Sequence, residues 1–94
     1  MQIDLTLLEK VVTEIFTEMK NRGIDSVPLD ADYYWNIPSE ALYDPYQDPN
    51  QLDLGQLQDD YETLRLAHAT GSLVSYNLKN IAAIMRFLSE KHPF

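Results

Sequence analysis

The stretch DLGQLQDDYETLRLAH (residues 53–68) decides the fold class, because its periodicity sets how the second half of the chain is built. Leu57, Tyr61, Leu64 and His68 recur at spacings of four, three and four, the stripe of an amphipathic helix. Asp53 followed by Gln56 three residues later has the spacing of a capping box, which places the start of this helix near Leu54. The stripe closes at Thr70-Gly71. Ser72 then stands where it caps a further helix, with Val74, Leu78, Ile81, Met85 and Leu88 on one face and Pro93 at the end. A connection as short as Thr70-Gly71-Ser72 predicts an antiparallel helical hairpin.

Upstream, IDLTLLEKVVTEIFTEMKNRG (residues 3–23) puts Leu8, Val11, Val12, Ile15 and Met19 on one helical face. Asp4 is placed to cap its first turn with Ile3 and Leu8 as a hydrophobic staple, and Thr6 with Glu9 offers a competing capping box. Lys20 and Arg22 suit the negative end of the helix, and Gly23 supplies the left-handed stop. The expected fold is therefore all-α. Three main helices, about 4–22, 54–70 and 72–91, form one domain over residues 1–94, with Ile15, Leu64, Ile81 and Met85 at the centre of the core.

Between the first two helices lie some thirty residues, long for a connection in a compact domain. In DADYYWNIP (residues 30–38) and the residues before it, Val27, Leu29, Ala31, Tyr33, Trp35 and Ile37 share one parity, and Pro28, Asp30, Asp32, Tyr34, Asn36 and Pro38 the other. Such alternation predicts a half-buried extended segment, with Tyr33 and Trp35 turned toward the helices and Asp30, Asp32 and Tyr34 outward. A slip of one residue turns every side chain over, leaving Tyr34 inside and Trp35 out. PSEALYD then reads as a short helical turn near Pro38, and YDPYQDPNQ as a turn-rich link.

The chain has 94 residues, 45% of them hydrophobic, and no cysteine. Its 10.9 kDa correspond to roughly 5,600 Å² exposed when folded against about 15,800 Å² unfolded, enough burial for one modest core. Without cysteine there is neither a disulfide nor a thiolate metal site. The opening MQIDLTLLEK lacks the basic and apolar regions of a signal peptide, so the expected location is the cytoplasm.

The net charge is −8, and the window from Gly23 to Leu64 holds ten of the acids and none of the bases. That field repels nucleic acid and anionic lipid and attracts cationic proteins. An acidic surface also serves solubility alone.

No motif carries catalysis. Asp30, Asp32, Tyr34 and Asn36 follow the spacing of a calcium loop, but Trp35 occupies its glycine position and Ala41 its closing glutamate. His68 and His92 are the only histidines, too few for a zinc site without cysteine, and His68 suits a helix end. Glu14 with Glu18, and Asp59, Asp60 and Glu62, are explained by solvated faces and a helix first turn. Lys79 and Arg86 share a face, with Glu90 placed to pair with Arg86. No enzyme activity, cofactor or metal is expected.

The remaining feature is the aromatic cluster Tyr33, Tyr34, Trp35, Tyr43 and Tyr46. Much of it serves as a satellite core under the crossover, yet Tyr and Trp carry much of the energy of protein interfaces. The segments DYYWNIP, EALYD and LDLGQLQDDYETL resemble a family of small, mostly uncharacterised bacterial proteins over residues 30–64. That resemblance brings no catalytic motif. Size and acidity are also similar to those of immunity proteins that neutralise basic toxins.

The expected function is a non-enzymatic acidic module that binds another protein with a basic surface, as an inhibitor or immunity-type protein. Its partner-binding residues are Asp30, Asp32, Tyr34, Trp35, Tyr43, Asp44 and Tyr46, with no part for nucleic acid or membrane. The alternatives are a small acid/base or metal-dependent enzyme, and a homo-oligomer such as a dimer that pairs through the extended segment.

Overall fold

A computed structural model describes residues 1–94. The first helix, α1 (Leu5–Asn21), starts and stops where local chemistry directs. The Asp4 carboxylate accepts from the N–H groups of Thr6 and Leu7, at 2.9 and 3.3 Å, satisfying two donors of the first turn. At the other end Gly23 adopts a φ of 85°, and the Ile24 N–H reaches back to the Met19 carbonyl at 3.0 Å.

The chain then forms strand β1 (Tyr33–Asn36), a single helical turn α2 (Ser39–Leu42), strand β2 (Asp53–Gln56), helix α3 (Leu57–Ala69), a 3₁₀ turn (Ser75–Asn77) and helix α4 (Leu78–Lys91). The fold is mixed and not all-α. β1 and β2 pair antiparallel as a two-stranded ribbon, Tyr33 opposite Gln56 and Asn36 opposite Asp53.

The error in the all-α expectation lies in residues 53–56. Their backbone N–H and C=O groups take partners from the crossover strand in place of helical ones, and helix α3 begins at Leu57, three residues later than the spacing implied. Gly55 favours this outcome, since glycine weakens a helix by about 1 kcal/mol relative to alanine.

Asp53, the expected cap, makes no capping bond. That part is taken by Asp32, which the chain brings to the start of α3 from β1's approach. Its backbone carbonyl accepts from the Leu57 N–H at 2.8 Å, and its carboxylate accepts from the Gln58 N–H at 3.0 Å and the Gln56 side-chain amide at 3.4 Å. Replacing Asp32 by Ala is therefore expected to lower stability by about 1 to 2 kcal/mol, the usual value of a lost cap. Asp53→Ala is expected to stay within about 0.5 kcal/mol. Urea titration of the two variants checks the assignment; equal losses would return the cap to Asp53.

The connection after α3 is also longer than expected. Gly71 (φ 68°) ends α3, and Ser72 bonds back to the Ala67 carbonyl at 2.9 Å without starting a helix. The Val74 N–H instead donates to the Asn77 side chain, forming the 3₁₀ turn that leads into α4. Asn80, in the first turn of α4, donates to Asp60, in the first turn of α3, at 2.9 Å. The chain thus runs back toward the start of α3 before α4 begins, which the expected tight antiparallel hairpin does not allow.

Met19 and Leu57 are the two buried residues, and no side chain is wholly enclosed. Leu64, Ile81 and Met85 are half-buried and Ile15 is 51% exposed, so the expected core is only partly closed. The reason is the loose seating of α1, whose second half faces α3 and α4 across open apolar space. Phe16 and Met19 line an apolar cavity of about 430 Å³ with Tyr61, Ile84 and Phe87. The Arg22 guanidinium lies 4.0 Å above the Phe94 ring, and Asp30 pairs with Lys91 to tie the crossover to the end of α4.

Candidate protein-binding surface on the two-stranded ribbon

Pairing Tyr34 with Gly55 and Trp35 with Leu54 sorts the ribbon into two faces, because residues directly opposite one another share a side. Tyr34 and Gly55 lie on the inner face. The Tyr34 ring lies across Gly55 so closely that a methyl group there would meet the ring itself. The Tyr34 hydroxyl donates to one Asp60 carboxylate oxygen at 2.6 Å while the other accepts from the Asn80 amide. Asn77 donates in turn to the Asn80 carbonyl oxygen at 3.4 Å. One polar chain thereby joins the ribbon, α3, the 3₁₀ turn and α4.

Burial pushes the Tyr34 phenol up to about 12, with the hydrogen bond to Asp60 and the charge of that carboxylate acting in the same direction. All three favour the neutral phenol. The structure therefore realises the inverted parity: Tyr34 points in, and Tyr33 and Trp35 point out.

The outer face carries Tyr33, Trp35 and Leu54, which are 65%, 70% and 62% exposed, with Gln56 opposite Tyr33 at its edge. It is a small apolar and aromatic platform on a backbone held by a hydrogen-bonded ladder. An exposed indole with a neighbouring tyrosine and leucine buries apolar area at little conformational cost when a partner covers it.

The seven residues expected at a partner surface separate in space. Trp35 belongs to the platform. Tyr43 and Tyr46 are almost fully exposed beyond α2, and Asp44 accepts from the Tyr46 N–H at 3.2 Å and lines a polar groove of about 420 Å³ with Glu40 and Asp48. Tyr34 is engaged with Asp60, Asp32 with the start of α3, and Asp30 with Lys91, so these three act within the fold.

Sequence reasoning missed Tyr33, assigned inward, and Leu54, assigned to a helix start. The available signal was Gly55 itself: a glycine two residues after a supposed cap marks a close approach of another segment as readily as a helix. Within the fold no three His, Asp or Glu side chains gather closely enough to hold a metal ion. No helix is long and apolar enough to cross a membrane. No protein-family model, no curated protein and no solved structure matches this chain.

Proposed function

We propose that this chain is a non-enzymatic binding module that receives a basic protein on the outer face of the ribbon, in the manner of an inhibitor or immunity protein acting in the cytoplasm. The observation that carries this reading is the exposure of Trp35 beside Tyr33 and Leu54 on a rigid ladder. The surrounding charge gives the partner its sign. Asp25, Glu40, Asp44, Asp48, Asp53 and Asp59 are exposed along the crossover and the start of α3, and none is in an ion pair. Peripheral carboxylates of this kind speed encounter with a cationic surface, and a central aromatic cluster slows release.

The test uses Trp35→Ala and Leu54→Ala as a double variant. Its melting midpoint is expected to stay near that of the parent, since exposed substitutions usually cost under about 0.5 kcal/mol each. Affinity capture from the native host at low salt is expected to retain a basic protein on the parent chain and lose it on the variant, with elution by salt. Retention of the same protein by both chains would remove the ribbon from the interface. Fluorescence gives an independent check: emission of the folded protein close to that of free indole in water is expected, and a strongly blue-shifted band would contradict the outward indole.

A further inference from the structure

We infer that the free edge of β1 pairs with an extended basic segment of the partner, which adds a third strand to the ribbon, an inference that rests on the proposed role of the ribbon. The bond pattern shows which groups are free. The Leu57 N–H donates to the Asp32 carbonyl, so Asp32 and Leu57 are a bonded pair that continues the antiparallel register. Bonded and unbonded pairs alternate along such a ladder, which makes Tyr34 with Gly55 and Asn36 with Asp53 bonded and leaves Tyr33 and Trp35 unbonded to β2. Their N–H and C=O groups therefore point to the other edge of β1. No third strand pairs there, and no backbone bond from a turn or loop reaches them.

Of the two edges, that of β1 is open to a strand. β2 turns into α3 directly after Gln56, whereas β1 is continued by non-helical chain on both sides. Ala31, Tyr33, Trp35 and Ile37 are exposed and alternate with half-buried Asp32, Tyr34, Asn36 and Pro38, so the extended pattern runs past the paired residues. Edge strands are usually guarded by lysine, proline or a bulge. Tyr33–Asn36 has no lysine or proline and pairs in unbroken register.

Charge decides the occupant. Just past the end of β1, Pro38 shares a polar groove with Glu40, Asp44 and Asp48, and Asn36 stands opposite Asp53. Four carboxylates thus border one end of the free edge, and none is in an ion pair. A second copy would bring its own charge of −8 to this edge and be repelled, whereas an extended segment rich in Lys or Arg is attracted. Main-chain bonds to Tyr33 and Trp35 supply the affinity, and the alternate side chains that fall beside the two rings supply the selectivity.

The probe is a capped peptide of alternating lysine and valine, compared with the same peptide N-methylated at its two central residues, which keeps the charge and removes N–H donors. At low salt the first is expected to bind saturably and shift Trp35 emission to the blue, and the second to bind at least about tenfold more weakly. Amide hydrogen exchange is expected to slow at Tyr33 and Trp35 when the first peptide is added, and to change little at Tyr34, which already bonds to Gly55. Glu40→Gln, Asp44→Asn and Asp48→Asn together are expected to weaken the first peptide about fivefold or more and to flatten its salt dependence. Equal binding of the two peptides, or unprotected Tyr33 and Trp35 amides in the complex, would overturn the added strand. If Trp35→Ala with Leu54→Ala abolishes that binding, the ribbon face still stands as the binding surface. Absence of binding by either peptide would overturn the strand as well, and an affinity unchanged by the three neutral substitutions would remove the basic occupant. A peptide-free chain that is already dimeric, with both amides protected, would give the edge to a second copy.

Discussion

Gly55→Val is expected to lower the stability of this protein by about 2 to 5 kcal/mol, although valine is among the best strand formers. The backbone does not demand glycine here, because the positive φ angles belong to Gly23 and Gly71. The obstacle is the Tyr34 ring lying across the position. Overpacking of this kind costs about 1 to 3 kcal/mol, and displacing the ring also breaks its hydrogen bond to the Asp60 carboxylate, a bond to a charged group worth about 1.5 to 3 kcal/mol. Against a total of about 5 to 14 kcal/mol for a chain of this length, that is a large fraction. The origin of the loss is checked by denaturant titration of Gly55→Val in a Tyr34→Ala background. With the ring gone, valine is expected to be neutral or stabilising, giving a coupling above about 1 kcal/mol between the two sites. Additive losses would mean that Gly55 is needed for its backbone after all.

Asp60→Ala is expected to be nearly as damaging, at about 2 to 4 kcal/mol, because it strips the acceptor from two half-buried donors at once, the Tyr34 hydroxyl and the Asn80 amide. Tyr34→Phe removes one of those donors and leaves the carboxylate with Asn80, so its loss is expected to be smaller, about 1 kcal/mol. The alkaline limb of stability separates this pair from ordinary packing. Tyr34 ionises near 12 in the folded protein against an ordinary 10.0, so folding favours its neutral form. Its contribution is fully present below pH 10.0 and is lost as pH rises toward 12. Tyr34→Phe is expected to abolish that part of the alkaline loss, and ultraviolet titration of the parent is expected to show one of its six tyrosines ionising later than the rest. An unchanged alkaline limb in Tyr34→Phe would break the link between the phenol and the fold.

The contrast between α1 and the ribbon shows which signals were legible. Asp4, Gly23 and Gly71 act on backbone groups within a turn of themselves, so their roles could be read from neighbours in the chain. The extended character of residues 33–36 was visible in their alternation, but which side faced inward was not. Both parities hold a large aromatic residue, and the choice depends on Gly55 and Asp60, which the chain reaches only after the sixteen residues 37–52. Local spacing made Asp53 a cap, and a distant Asp32 outcompeted it because pairing of the strands had already brought that residue to the start of α3. Aromatic residues and acids stand exposed on the crossover, with Tyr33, Trp35 and Leu54 on the outer face of the ribbon, while Tyr34 and Asp32 bond within the fold.

By itself the sequence determined where α1 lies, the stripes that become α3 and α4, and the segregation of ten acids from every base, since each is a property of composition or of contacts a few residues apart. Tertiary structure alone decided that residues 53–56 are a strand, that Trp35 is outward, and that α1 leaves much of its apolar face uncovered. Those outcomes turn on which distant segments meet. A helix is stabilised by bonds four residues long, whereas a ribbon face, a distant cap and the apolar face of a helix acquire their meaning only when another piece of chain closes on them.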